Sequence, residues 1–343
     1  MIHRLKTIDA HAAGEPLRLI VDGFPSPRGR SMLDKREWLA QHQDHLRRAL
    51  VLEPRGHTDM YGAILTDAVS PGSHAGVLFM HNEGYSTMCG HGIIAVTTIA
   101  LERGLLMPGG DGLTVIFDTP AGTVRATARS GGSGGSGRSG GGEEPRIESV
   151  AFVNVPSFVV RGGVDVRIAA RQIRADVAFG GAFYAIVDSE SAGLPLDAAH
   201  LPQLRHAGMD VKRAIEATLT IAHPLEPGLN GIYGTIFTGP PNDHRADLRN
   251  VTVFADGQVD RSPCGTGTAA VMAVIDAMGL LSGERPFVHE SLVGTMFEGT
   301  LAGRTSVGDY QAIVPEIRGS AWITGEHTFL IDDADPLREG FRI

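Results

Sequence analysis

Cysteine is scarce in this chain of 343 residues, where it occurs only as Cys89 and Cys264. Two cysteines exclude a framework of several disulfides, although one bridge stays arithmetically available. Basic residues are also in deficit, because 30 Lys and Arg stand against 39 Asp and Glu and give a net charge of −9. The basic residues are scattered, so no positive stripe exists to neutralise a phosphate backbone. We therefore expect no nucleic-acid partner.

Aromatic residues make up only 6% of the chain, and no run approaches the roughly 20 apolar residues that a membrane span needs. The opening residues lack the apolar core of a secretory signal. We expect a cytoplasmic protein without membrane association. What is abundant is glycine, with 45 residues, within an ordinary globular composition that is 42% hydrophobic. This length and composition predict two domains and favour a small-molecule partner over a polymer.

The two cysteines lie in an internal repeat. The pattern C-G-x-G-x-x-A-V begins at Cys89 and again at Cys264, and in both copies Gly-Leu-Leu follows after seven further residues. A glycine pair opens each copy, and a glycine closes it as a left-handed helix cap would. The repeat predicts two buried helices, over 91–103 and 266–278.

A strand-like run precedes each predicted helix, at 75–80 and at 251–254. Each cysteine is therefore expected where a loop enters a buried helix. Turn residues separate further candidate strands, which are 17–21, 113–117, 151–155, 182–187, 231–237 and 322–330. The sequence predicts a mixed α/β fold, of the α+β kind, in two similar halves.

A Gly/Ser-rich segment divides the chain. Residues 130–142 contain no apolar side chain and should behave as flexible chain, either as a linker or as the tip of a long hairpin. We predict a first half over 1–127, a flexible loop over 128–147 and a second half over 148–330. The C-terminal segment 331–343 is expected to return to the first half.

The repeated motif has three possible interpretations. A buried cysteine is by itself most often a small apolar residue. The glycine spacing also fits the dinucleotide fingerprint G-x-G-x-x-[GA], but neither predicted helix is clearly followed by a strand that ends in a ribose-binding acid. The third interpretation is that two helix starts bind one carboxylate and lower the pKa of the adjacent thiols. One thiolate would then act as base and one thiol as acid on opposite faces of a carbon atom.

The segments 88–92 and 260–268 resemble the two signature motifs of the proline racemase family. The resemblance extends to other parts of the chain, namely 53–57, 59–62, 181–184 and 246–250. It implies the fold of diaminopimelate epimerase, with two pseudo-symmetric halves. In that fold each half is a mostly antiparallel sheet wrapped around a central helix, and the active site lies between them.

The resemblance also implies roles for individual residues. Cys89 and Cys264 are expected to be the catalytic acid/base pair, and Asp260 with the His91 side chain to hold the ring nitrogen of the substrate. The substrate carboxylate is expected to be bound by the backbone amides of Gly90, His91, Gly265 and Thr266. Two aromatic side chains, Tyr61 and Phe254, are expected to line the substrate ring. The resemblance implies catalysis without a cofactor. We also expect no metal, because the sequence has no H-E-x-x-H and no cysteine cluster. A homodimer is a family expectation.

The expected substrate is a proline-type imino acid. The intact cysteine pair is typical of racemases and 4-hydroxyproline 2-epimerases, whereas many trans-3-hydroxyproline dehydratases replace one cysteine. Other stretches resemble the dehydratase or racemase branches. We expect dehydration of trans-3-hydroxy-L-proline, 2-epimerisation, or both, with proline racemase or 4-hydroxyproline 2-epimerase as the alternative. More distant alternatives are a non-catalytic solute-binding or phenazine-biosynthesis-like relative and a dinucleotide-dependent oxidoreductase.

Overall fold

The computed structural model describes residues 2–109, 112–131, 146–168, 171–281 and 283–342. Among these, the first strands are β1 Ile2–Ala12, β2 Glu15–Asp22, β3 Tyr61–Thr66, β4 Ala75–His81, β5 Thr114–Thr119, β6 Gly122–Ser130 and β7 Ile147–Val153. The later strands are β8 Ser157–Ile168, β9 Arg171–Phe179, β10 Phe183–Asp188, β11 Gly234–Gly239, β12 Leu248–Phe254, β13 Gln258–Val259, β14 Phe287–Glu290, β15 Met296–Val307, β16 Tyr310–Gly319 and β17 Ala321–Asp332. The helices are α1 Met32–His42, α2 Asp44–Val51, α3 Gly90–Glu102, α4 Ser189–Ala192, α5 Leu201–Glu216 and α6 Gly265–Ala277.

The strand topology occurs twice. In the first copy β1 and β2 are antiparallel, β2 and β3 parallel, β3 and β4 antiparallel, and α3 then leads to β5, which is parallel to β4. The second copy repeats this order from β9, with α6 between β12 and its parallel neighbour β14. The other strand pairs in the described part of the chain are all antiparallel. The predicted mixed α/β fold in two similar halves is confirmed.

Each copy wraps its strands around one helix. Helix α3 contacts β1, β2, β6, β7 and β17, whereas α6 contacts β8, β9, β10, β15 and β16. Strand β16 pairs with β15, with β7 and with β8, so the hydrogen-bonded sheet runs from one copy into the other. The central position of α3 and α6, each surrounded by strands, differs from the dinucleotide-binding arrangement, in which helices cover the faces of an open parallel sheet.

The central helices are buried on all sides, which explains their composition. In α3 every residue from Gly90 to Ala100 is buried, and in α6 every residue from Gly265 to Val274. A helix that is apolar all round belongs in a core. The polar atoms of α3 stay satisfied, because the Thr97 and Thr98 hydroxyls donate to carbonyl oxygens one turn earlier at 2.7 and 2.9 Å.

Both predicted helices are confirmed, each beginning and ending one residue before the predicted bounds. Strand β11 begins three residues after the predicted start at 231. The cause is a turn, since Gly231 has a φ of +72° and donates its N–H to Ile221 O. Strand β7 ends at Val153 instead of residue 155, shortly before a proline.

Part of the predicted flexible loop over 128–147 is strand. Arg129 in β6 pairs with Ser149 in β7, so the Gly/Ser-rich segment joins two neighbouring antiparallel strands. Residues 132–145 lie outside the described residues. At the C-terminus β17 pairs with β1 along its whole length, from Ala321 onward. The division into halves at 127, 148 and 330 stays a prediction. None of the helices within the described ranges is long and apolar enough to cross a bilayer.

Candidate active site

The two repeated helices meet at their N-terminal ends. Cys89 is the N-cap residue of α3, and Cys264 is the N-cap residue of α6. The following glycines touch, because a Cβ atom added to Gly90 would lie 2.5 Å from the Cα of Gly265, and one added to Gly265 would lie 2.6 Å from the Cα of Gly90. Only glycine permits such an approach of two backbones. The first glycine of each copy therefore brings the two cysteines to one place.

One small cavity lies at this meeting point. Its lining contains the nine residues predicted for the site, which are Tyr61, Cys89, Gly90, His91, Phe254, Asp260, Cys264, Gly265 and Thr266. Met88, Tyr184 and Tyr233 complete the lining. The structure thus brings the predicted residues together, while the roles assigned to them stay predictions. A wider groove between β9 and α6 contains no cysteine.

The two cysteines have different local geometry. Cys89 is extended, and its Sγ accepts a hydrogen bond from Gly92 N at 3.2 Å and lies 3.3 Å from His91 Nδ1. Cys264 has a φ of +63°, a left-handed conformation that costs a non-glycine residue roughly 1–3 kcal/mol. A backbone hydrogen bond from Cys264 N to Ser262 Oγ at 3.1 Å supports it. Its Sγ lies 3.6 Å from Tyr184 Oη and 3.8 Å from Thr266 Oγ1.

The expected lowering of the thiol pKa is wrong for the substrate-free protein. Burial raises the pKa of both Cys89 and Cys264 well above the ordinary value, and the negative charge of Asp260 raises both further. The hydrogen bond from Gly92 N lowers the pKa of Cys89, but less than burial raises it. The amides at the helix start do act to lower the thiol pKa. The loss of water around a charged sulfur raises the pKa by more than these amides lower it.

We therefore expect no thiolate absorbance near 240 nm from the substrate-free protein at pH 7. In Asp260→Asn the thiolate signal should appear at lower pH than in the unsubstituted protein, because a neighbouring negative charge that disfavours the thiolate is removed. An ultraviolet pH titration measures both. A thiolate signal already present at pH 7 in the unsubstituted protein would contradict this view of the cavity.

Asp260 and His91 provide the polar side of the cavity. The Asp260 carboxylate accepts hydrogen bonds from Ser262 N at 2.8 Å and from Ser262 Oγ at 2.7 Å. Burial raises the pKa of Asp260, whereas the hydrogen bonds from Ser262 and the positive charge of Arg261 lower it. Burial lowers the pKa of His91 to about 3, so its imidazole is neutral. A cationic amine would find one anionic and one neutral partner here.

Aromatic rings form another part of the lining. The hydroxyls of Tyr61 and Tyr233 lie 3.1 Å apart, and Tyr61 donates to Ser86 Oγ at 2.7 Å. Tyr233 stacks on Phe254 with ring centroids 5.6 Å apart. Tyr184 Oη lies 2.7 Å from Thr266 Oγ1. Burial raises the pKa of all three tyrosines, which keeps them protonated.

Sequence reasoning did not assign Tyr184 or Tyr233 to the site. A signal for Tyr233 exists in a second internal repeat, because Y-G-x-I-x-T begins at Tyr61 and again at Tyr233. The first segment is β3, and the second begins one residue before β11. The two strands occupy equivalent positions in the two copies of the topology. The repeated strand segments thus place the two tyrosines at equivalent positions, as the repeated helices place the two cysteines.

Hydrogen bonds join the two copies beside the cavity. Glu15 in β2 accepts from Arg261 N at 2.7 Å, and Arg261 Nη1 donates to Asp59 O at 3.0 Å. Gln258 Nε2 donates to Asn82 Oδ1 at 3.1 Å. These contacts hold the Asp260 segment of the second copy against the first. Within the described ranges, no group of three or more His, Cys, Asp or Glu side chains is placed to hold a metal ion.

Comparison with known proteins places this geometry in context. The chain is 48% identical over 335 residues to trans-3-hydroxy-L-proline dehydratase of Bacillus cereus, covering 98% of this chain and 97% of that protein. It is 41% identical to 3-hydroxyproline 2-epimerase of Burkholderia multivorans, covering 99% and 98% of the two chains. It is 38% identical to proline racemase of Clostridioides difficile, covering 98% and 97%.

Solved structures agree with these relatives. A hydroxyproline epimerase from Agrobacterium vitis, with bound trans-4-hydroxy-L-proline, superimposes with a TM-score of 0.88 at 31% identity, covering 99% of this chain and 96% of that one. A phenazine biosynthesis protein of the PhzF family from Bacillus anthracis, with a TM-score of 0.56 at 12% identity over 95% and 99% of the chains, shares the fold alone. The proline racemase family model matches residues 7–342. The chain belongs to the proline racemase family.

Proposed function

We propose that this protein removes the α-proton of a proline-type imino acid with one cysteine, and that its main reaction is the dehydration of trans-3-hydroxy-L-proline. Inversion at the α-carbon is the second activity that the site supports. The observation that carries the proposal is the placement of Cys89 and Cys264 on one small cavity, at helix starts that touch through Gly90 and Gly265. The dehydratase and epimerase names of the relatives support it.

The helix starts suit a carboxylate. The first N–H groups of a helix have no partner within the helix, and they carry a partial positive charge. In this cavity the amides of Gly90 and His91 come from α3, and those of Gly265 and Thr266 come from α6. When the α-proton leaves, negative charge spreads onto the substrate carboxylate, so these fixed donors stabilise the carbanion more than the ground state.

The ring nitrogen would lie against Asp260 and His91. A bound substrate ammonium neutralises the Asp260 charge, which otherwise raises the pKa of both thiols. Substrate binding therefore favours formation of the thiolate that the reaction needs. The same contact makes the α-proton more acidic by placing a cation beside it.

Inversion and dehydration share the first step and differ in the second. In inversion the opposite thiol returns a proton to the other face of the carbanion. In dehydration the electron pair left at the α-carbon forms a double bond to C3, and the C3–O bond breaks as the oxygen takes a proton and leaves as water. The product is an enamine that tautomerises without further catalysis.

The stereochemistry of the substrate separates these outcomes. In trans-3-hydroxy-L-proline the hydroxyl lies across the ring from the carboxylate, and therefore on the same face as the α-proton. Dehydration thus needs one sulfur on that face and an acid near C3, whereas inversion needs both sulfurs. A protein that keeps both cysteines can carry out inversion, and it can also carry out dehydration where an acid lies near C3.

Incubation with each proline and hydroxyproline isomer in deuterated water tests the proposal. We expect loss of the hydroxyl from trans-3-hydroxy-L-proline, and α-deuterium with inversion in isomers that cannot lose water. NMR reads all three signals. Absence of both α-deuterium and water loss with every isomer would contradict the proposed function.

Pyrrole-2-carboxylate should inhibit competitively, because its carbon at the reacting position is planar, like the carbanion. We expect it to shift the apparent KM for trans-3-hydroxy-L-proline without changing kcat. Benzoate is a matched control, since it has a planar ring and a carboxylate but no ring nitrogen for Asp260. Equal inhibition by the two would show that the nitrogen contact has no part in binding.

A further inference from the structure

We propose that Tyr233 is the acid that protonates the departing 3-hydroxyl of the substrate, with Tyr61 as its hydrogen-bond partner. This inference rests on the proposed dehydration and names the group that the second step needs. It concerns a residue outside the two cysteine motifs.

The repeated strands supply the first observation. Tyr61 begins β3 and Tyr233 directly precedes β11, at equivalent positions of the repeated Y-G-x-I-x-T segment, and both residues line the cavity that contains Cys89 and Cys264. The two hydroxyls are 3.1 Å apart. Each copy of the fold thus contributes one cysteine and one phenol of this pair to the cavity, and Tyr184 in β10 adds a third phenol.

The hydrogen bonds of the lining residues distinguish the phenols. Tyr61 donates to Ser86 Oγ, and Tyr184 Oη lies 2.7 Å from Thr266 Oγ1 and 3.6 Å from the Cys264 sulfur. The Tyr233 hydroxyl has Tyr61 as its hydrogen-bond partner. Either oxygen can donate in this pair, and in the arrangement in which Tyr61 donates to Ser86 the proton between the phenols is that of Tyr233. This proton can turn to a bound hydroxyl without breaking a bond to Ser86 or Thr266.

The ring of Tyr233 is held in place by its neighbours. It stacks on Phe254 at an interplanar angle of 24°, and it meets Tyr184 and His81 edge-on with centroids 5.9 and 6.1 Å away. These ring contacts restrict the motion of the side chain, whereas the O–H bond can rotate. Burial among these rings raises the pKa of Tyr233, so the phenol keeps its proton until negative charge develops on an adjacent oxygen.

With Tyr233 as the acid, every proton in the dehydration is accounted for. The thiolate takes the α-proton, the Cα electron pair forms the double bond to C3, and the C3–O bond breaks as Tyr233 gives its proton to the oxygen. Water leaves, and the site holds a thiol and a phenolate. Transfer of the proton from the thiol to the phenolate restores both groups. Tyr61 lies 3.1 Å from Tyr233 between the hydroxyl oxygens and lines the same cavity as Cys89, so it offers a relay for that transfer.

Tyr233→Phe tests the inference with trans-3-hydroxy-L-proline in deuterated water. We expect water loss to fall at least about 100-fold, which is the low end of a general acid's contribution. The carbanion still forms but is returned to substrate, so recovered substrate or its 2-epimer should gain α-deuterium. Tyr310→Phe is the matched control, because this half-buried tyrosine stacks on Phe158 away from the cavity. It should lose water at the unsubstituted rate.

Three outcomes decide the matter. Water loss by Tyr233→Phe within about threefold of the unsubstituted rate overturns the inference, because a general acid contributes far more. A parallel fall of water loss and α-deuterium uptake, in a variant that still binds pyrrole-2-carboxylate, also overturns it, since Tyr233 would then act on the first step. Absence of water loss in the unsubstituted protein instead contradicts the proposed dehydration itself.

Discussion

Replacement of either cysteine by serine should lower inversion at the α-carbon by about 1000-fold or more. Inversion needs a base on one face and an acid on the other, and positioned proton transfer contributes about 10² to 10⁴ in rate at each. A serine hydroxyl keeps the shape of the side chain but ionises far less readily than a thiol. Cys89→Ser and Cys264→Ser are compared by chiral chromatography of a proline isomer after incubation.

Dehydration should respond differently to the same two variants. Because the α-proton and the 3-hydroxyl share a face, one variant should lose dehydration and the other should keep it within about tenfold, the second sulfur being outside the acid/base path. Binding of pyrrole-2-carboxylate serves as the control for a folded site. Equal loss of dehydration in both variants, or full inversion in either, would contradict the assignment of one cysteine to each face of the substrate.

Gly90→Ala should abolish most activity and destabilise the fold. The added Cβ would lie 2.5 Å from the Cα of Gly265, which is backbone and cannot rotate away. Overpacking of this kind costs typically 1–3 kcal/mol. Displacement of the helix starts by about 1 Å is expected to lower kcat/KM about 100-fold. Denaturant unfolding and steady-state kinetics measure the two effects.

Gly265→Ala should behave like Gly90→Ala, because the contact is mutual. Gly303→Ala is the matched control, since a Cβ atom at this strand position meets nothing within 4 Å. Full activity in both Gly90→Ala and Gly265→Ala would show that the two helix starts need not touch for the cavity to work.

The part of the site that depends on local spacing was predictable from the sequence. Cys89 and Cys264 recur with the same glycines and the same helix length, and the local rules for helix starts apply to each copy. The fold in two similar halves followed from that repeat. These features need no knowledge of which distant residues pack around them.

The features that depend on tertiary contacts were not predictable. The predicted direction of the thiol pKa shift was wrong, because burial in the folded cavity determines that direction. Tyr233 was missed because one tyrosine ahead of a strand resembles ordinary apolar packing until it meets Tyr61. Strand β8 was missed because glycines at 162 and 163 and two register shifts against β9 interrupt its alternation.

Helix α1 was missed for a different reason. Only three of its residues, Met32, Lys35 and Leu39, are buried, so the apolar periodicity is weak. Its start does carry a sequence signal, since Ser31 and Asp34 form a capping box in which each side chain bonds to the other's backbone. The capping residues thus indicate the start of α1, which the hydrophobic pattern alone does not indicate.

The crystal structure of the protein with bound pyrrole-2-carboxylate tests the central claim most directly. The account requires the carboxylate on the amides that begin α3 and α6, the ring nitrogen against Asp260, and the reacting carbon between the sulfurs of Cys89 and Cys264, one on each face. A ligand bound elsewhere, or both sulfurs on one face of its ring, would contradict the account.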